Sequence, residues 1–254
     1  TTTTAAGIND TGTISGGVVT LTSTQSTTTA TATPITATGL ITANTLSVTG
    51  NGGASTTIVS LGAITINAGG TNITVIANDV AAGANTGITQ TGAITDNAVG
   101  SNISFISNNR IDQNGTITLA ANTSGTASNV IYDVTSGNKL TTINTAPLNI
   151  TAGSTSGINY ALLASGGAIT VGGAVSVPGT ITLDNTYGCT GASCTPVTGY
   201  LNTALTNWTT YVSTSYGVQV SSALTGTAIT IKGINNAANA GAVLLQAALD
   251  RKST

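Results

Sequence analysis

Short runs in which an aliphatic side chain alternates with a small polar one recur throughout the sequence. Examples are Gly62-Ala-Ile-Thr-Ile-Asn, Thr71-Asn-Ile-Thr-Val-Ile, Asn102-Ile-Ser-Phe-Ile-Ser, Gly115-Thr-Ile-Thr-Leu-Ala and Gly179-Thr-Ile-Thr-Leu-Asp. Alternation with period two places Ile and Val on one face of a strand and Thr, Ser and Asn on the other. Both Ile and Thr are β-branched and suit a pleated, half-buried surface. Gly and Asn gather between the runs, where turns are expected to need positive φ.

The runs are periodic. Gly-x-Ile-Ser/Thr begins at Gly12, Gly39, Gly62, Gly92, Gly115, Gly167 and Gly179. The first five intervals are 27, 23, 30, 23 and 52 residues, the last read as two periods with a degenerate copy at Thr141-Thr-Ile-Asn. A mean of about 26 residues is one turn of a three-sided parallel β-solenoid. In-register stacking then predicts one inward ladder of Ile14, Ile41, Ile64, Ile94, Ile117, Ile143 and Ile169, with coils about 4.8 Å apart. The rival architecture, a β-sandwich fibre subunit completed by a neighbour's strand, predicts antiparallel pairing and no such ladder.

One segment departs from the pattern. Between Gly179 and the next match, Gly226-Thr-Ala-Ile-Thr, lie two cysteines and a stripe of Leu201, Leu205, Trp208 and Val212 at helical spacing, flanked by Tyr200, Ala204 and Tyr211. Pro196 and a Thr198 N-cap precede it. The reading is coils over 1–185, an inserted loop and short helix over 186–216, and coils resumed over 217–254. Cys189 and Cys194, with four residues between them, are read as a short-loop disulfide at the root of the insertion, which implies an oxidising compartment. Metal ligation would require two further strong ligands, and the chain has neither His nor a third Cys.

Composition fits a narrow interior. Of 254 residues 54 are Thr and 32 Gly, whereas charged residues make up 5% and aromatics 3%. A column of stacked aliphatics needs few aromatics, and an outer surface of Thr and Asn is wettable without charge. With 5 Lys+Arg and a net charge of −2 the chain cannot neutralise a phosphate backbone, which argues against nucleic acid as a partner. No apolar run reaches the length of a membrane-spanning helix. The absence of an initiator Met points to a processed or excised product.

The run Gly217-Val-Gln-Val-Ser-Ser-Ala-Leu-Thr-Gly-Thr-Ala-Ile-Thr-Ile-Lys-Gly, followed by Ala240-Gly-Ala-Val-Leu-Leu, resembles the haemagglutinin-type repeats of large bacterial exoproteins. So do Gly62-Ala-Ile-Thr-Ile-Asn-Ala-Gly-Gly and Asn159-Tyr-Ala-Leu-Leu-Ala-Ser-Gly-Gly-Ala-Ile-Thr-Val. The family is that of filamentous-haemagglutinin-like, two-partner-secreted adhesins, and the resemblance covers roughly residues 10–185 and 213–248. It implies a right-handed parallel β-helix, an extracellular or cell-surface location and a structural, adhesive role. The family's secretion domain has no counterpart in this sequence, nor is the insertion one of its hallmarks.

Candidate chemistry is sparse. All seven acids are Asp, none closely paired in sequence, and no His serves as a base. No catalytic residue, metal or cofactor is therefore expected, and Arg110 with Asp112 reads as a corner salt bridge. Trp208, Tyr211 and Tyr200 are the candidates for contact with a glycan or receptor, or else they pin the helix to the solenoid flank. Thr-rich faces suggest carbohydrate or ice binding as the alternative function, yet the dense Thr pairs between Thr20 and Thr38 do not recur with the coil. A polysaccharide-processing β-helix enzyme would require Asp residues gathered on adjacent coils. The leading expectation is an extracellular structural module that associates with further coils of a longer chain or with copies of itself.

Overall fold

The computed structural model describes residues 7–25, 32–52, 57–67, 72–79, 86–122, 127–134, 142–145, 148–150, 158–164, 168–185, 189–190, 193–194, 218–233 and 243–251. Among these residues the secondary structure is β throughout, without helix. The predicted helix over 198–212 lies outside the described residues, as do Tyr200, Trp208 and Tyr211.

The strands form a parallel β-solenoid with three faces. The first face is a nine-stranded parallel sheet, one strand per coil, running from Ile8–Asp10 to Val243–Leu245. The second and third faces are joined into one sheet because the strands Ile14–Thr24 and Ile41–Gly52 turn the corner without a break. Pairing is antiparallel only in the two-stranded hairpin of Cys189–Thr190 and Ser193–Cys194, among the described residues. Parallel pairing and stacked ladders exclude the sandwich alternative.

Each face contributes its own file of aliphatic register partners. On the second face Ile14, Ile41, Ile64, Ile94 and Ile117 are consecutive partners, as the repeat predicts, and the file continues through Leu148, Val175, Leu224 and Leu249. Ile143 and Ile169 belong instead to the first face, in register with Ile8, Ile35, Val59, Ile88 and Ile111. The predicted single ladder therefore corrects to two. The physical reason is that Gly-x-Ile-Thr marks a corner followed by a strand, and all three corners make the same demand. Gly179 accordingly opens a strand of the third face, where Ile181 pairs with Tyr160 and Ile229.

Coil length varies because the corners absorb insertions. One coil separates Asn44 from Asn67 by 23 residues, Asn102 from Asn129 by 27 and Asn129 from Asn159 by 30. Between Val171 and Ser221 the separation is 50, yet Ser221 N still donates to the Val171 carbonyl at 3.1 Å. The coils on either side of the insertion thus stack directly, Ile169 on Val218 and Ile181 on Ile229.

The core is the column enclosed by the three faces. It is built from Ile, Val, Leu and Ala, nearly all without measurable exposure. Burying each Ile, Val or Leu contributes about 1.5–3 kcal/mol, which offsets the cost of ordering short strands. It also holds three aromatics: Phe105, Tyr132 and Tyr160 are fully buried, on successive coils inside the third face.

Glycine at the corners has a different cause from the expected one. Among the described residues the glycine with positive φ is Gly100, at 71°. At Gly39 and Gly115 the requirement is proximity. A Cβ on Gly115 would overlap the Gly92 carbonyl of the preceding coil, and one on Gly39 would overlap that of Gly12. The coils approach so closely at this corner that the motif admits no side chain.

Candidate functional site

The described residues hold no group of three or more metal-ligating side chains. The Asp residues are dispersed over the faces. Asp96 points inward from the second face, where its carboxylate accepts from Ala98 N at 2.9 Å and from the Ser101 hydroxyl. Burial pushes its pKa up, opposed by those two donors. Asp112, on the first face, binds Arg110 Nε at 2.7 Å, the corner salt bridge expected from sequence. Asp10 accepts from Gly12 N at 2.7 Å at the first corner.

Stacking brings two acids into one outer file. On the third face Thr49, Ile76, Ile106, Asp133, Leu163, Asp184 and Lys232 are successive partners. Asp184 pairs with Lys232 Nζ at 3.2 Å. Asp133 is different: it has no exposure, and neither carboxylate oxygen has a hydrogen-bond partner. Burial raises its pKa to about 7. Leu163 stands between the two acids, so they are not on adjacent coils.

Alternation missed Asp133, since its position reads as outward and solvated. The neighbouring outward residues Ile106, Ile131 and Leu163 are the signal that this part of the face is not wet. In the earlier coils the equivalent positions hold Thr22, Thr49, Thr20 and Ser47.

The outer surfaces carry ordered polar files. On the second face Thr42, Thr65, Thr95 and Thr118 are consecutive partners, as the recurring motif predicts. Beside it Asn67 Nδ2 donates to Asn44 Oδ1 at 2.8 Å. On the third face Asn72, Asn102, Asn129 and Asn159 form an asparagine ladder, each donating to the one before at 3.3, 2.7 and 3.1 Å. Asn159 Oδ1 in turn accepts from the Thr180 hydroxyl at 3.0 Å. Such ladders satisfy both halves of each amide along the axis and hold register without charge.

Inside, Tyr132 Oη donates to Gln113 Oε1 at 3.0 Å, and Gln90 Nε2 donates to the carbonyls of Gly62 and Gly92 at the corner between the first two faces. These buried amides tie strand to corner.

At the root of the insertion the backbone pairs Cys189 with Cys194 in the antiparallel hairpin. Directly opposed antiparallel residues have Cα atoms about 4.5–5.5 Å apart, within the range a disulfide spans. Their side chains, like the aromatic candidates Tyr200, Trp208 and Tyr211, lie outside the described residues.

Compared with models of protein families, with curated proteins and with solved structures, the chain matches none.

Proposed function

We propose that the chain is a structural shaft segment of an extracellular fibre or adhesin, of the filamentous-haemagglutinin-like kind that its repeats resemble. The observation that carries this reading is the continuity of the main-chain ladder: nine coils on the first face, with the longest insertion set outside it. The work of such a segment is mechanical. Parallel ladders on three faces resist bending, and a surface of Thr and Asn with 5% charged residues offers few sites to proteases of basic or acidic specificity. In this reading the chain catalyses nothing and carries no cofactor. It works outside the cell, where Cys189 and Cys194 are oxidised to a disulfide. Trp208, Tyr211 and Tyr200 supply contact with a glycan or receptor.

Extension occurs by further stacking. The last described coil presents Val243, Leu245 and Leu249 at 37%, 46% and 42% exposure, although all three occupy the inward register of Val218, Val220 and Leu224. A further coil, from a longer chain or from a second copy, would cover them. Electron microscopy and diffraction of the purified material test this. Filaments with an axial spacing of about 4.8 Å support end-to-end stacking; compact particles that stay monomeric at every concentration contradict it.

The Thr file of the second face favours a second reading, a shaft that also binds an ordered surface such as a crystalline polysaccharide or ice. Thr65→Lys with Thr95→Lys should abolish such binding and leave the thermal midpoint unchanged. Wild-type protein that neither pulls down with insoluble polysaccharide nor alters ice growth excludes it.

A further inference from the structure

The outer file of the third face holds a carboxylate where the fold offers it nothing. Asp133 lies between Ile106 and Leu163 of the adjoining coils, its exposure is zero, and neither oxygen is hydrogen-bonded. An ionised carboxylate so placed has lost water and gained no donor, which favours the neutral acid or an opened strand. Elsewhere on this face polar groups are satisfied along the axis, as in the asparagine ladder one edge away. Replacing Asp133 by an apolar residue would have removed the conflict, and an amide its charge; the acid retains both.

We propose that Asp133 makes this stretch of the shaft proton-sensitive: the strands Ser128–Val134 and Ile158–Ala164 hold tightly when Asp133 is protonated and open more readily when it is ionised.

Among the described residues the neighbouring groups do not relieve it. Asn102–Ser107 carries no titratable side chain, and Tyr132 and Tyr160 turn inward from the paired strands. Asp184, two coils along, is engaged with Lys232, and Arg110 with Asp112 across the corner. Burial is the cause of the upward shift to about 7, with no charged partner contributing. The sign follows. Because the folded pKa lies above the unfolded value of about 3.9, stability is greatest at low pH, falls as pH rises between the two values and levels off above neutrality. This is the opposite of an ion-paired Asp, so a mildly acidic medium stiffens the segment.

Hydrogen exchange read by mass spectrometry on the intact chain tests the proposal at about pH 5.5 and about pH 8.5, as protection factors corrected for intrinsic rates. Protection over 128–134 and 158–164 should fall about tenfold or more at the higher pH, while 41–52 stays constant. Asp133→Asn should remove the fall. An unchanged wild-type profile, or an equal fall in D133N, overturns the proposal. Should D133N not fold, carboxyl carbon NMR of the wild type decides: a titration midpoint near neutrality supports the proposal, and one near the ordinary value of about 4 overturns it.

Discussion

The rings of Phe105 and Tyr132 stack inside the solenoid with centroids 5.1 Å apart and planes inclined by 11°, one coil above the other. Tyr160 meets Tyr132 edge-on at 5.9 Å and 64° on the coil beyond. Three of the few aromatics of the chain thus form a buried pile. Phe105→Ala should cost about 3–5 kcal/mol and Phe105→Leu much less, since the larger cavity is the penalty. Tyr132→Phe leaves the stack but removes the bond to Gln113 Oε1, for a loss of about 1 kcal/mol. Urea denaturation followed by circular dichroism measures all three.

At the corner between the first two faces glycine is demanded by the adjacent coil. Gly115→Ala forces a methyl into the Gly92 carbonyl, so coils must separate locally. The expected loss is about 2 kcal/mol or more, beyond the usual range of a surface change. Gly17→Ala provides the contrast: a Cβ there meets nothing within 4 Å, and the effect should lie within about 0.5 kcal/mol of zero. Equal losses for the two variants would show that chain entropy, not coil contact, governs the glycines.

The insertion is dispensable to the ladder. Asn185 N bonds the Lys232 carbonyl at 3.1 Å, so the coils before and after the insertion are already joined across it. Elsewhere the third face passes to the first in two residues, Asn108 and Asn109, between Ser107 and Arg110. Replacing 187–216 with a two-residue Asn corner should retain the β spectrum and a cooperative thermal transition. Loss of either would assign the insertion a role in closing the coils.

Much of this architecture is legible before folding. The file Ile14, Ile41, Ile64, Ile94, Ile117 follows directly from the repeat, because burial selects Ile at the first inward position after the glycine corner. The later files are not legible, since corners of different length blur the period and the same corner motif serves every face. Ile143 and Ile169 therefore carry the motif of the second face yet stack on the first. The aromatic pile had a signal, Phe105 and Tyr132 at one coil's spacing, that composition obscured by drawing attention to the insertion. Asp133 was hidden by alternation itself: period two states which way a side chain points, not whether water meets it there.

The stacking of one strand per coil on each face is tested most directly by pulsed electron paramagnetic resonance. With Cys189 and Cys194 replaced by Ser, nitroxides are attached at Ser15→Cys and, in turn, at Thr65→Cys, Thr118→Cys or Thr225→Cys, all in the outer file of the second face. These positions lie two, four and seven coils from Ser15, so the distances should grow linearly, about 10, 19 and 34 Å before allowance for the label arms. Distances that fail to increase with coil number, as in a sandwich whose strands return across the same layer, would contradict the solenoid.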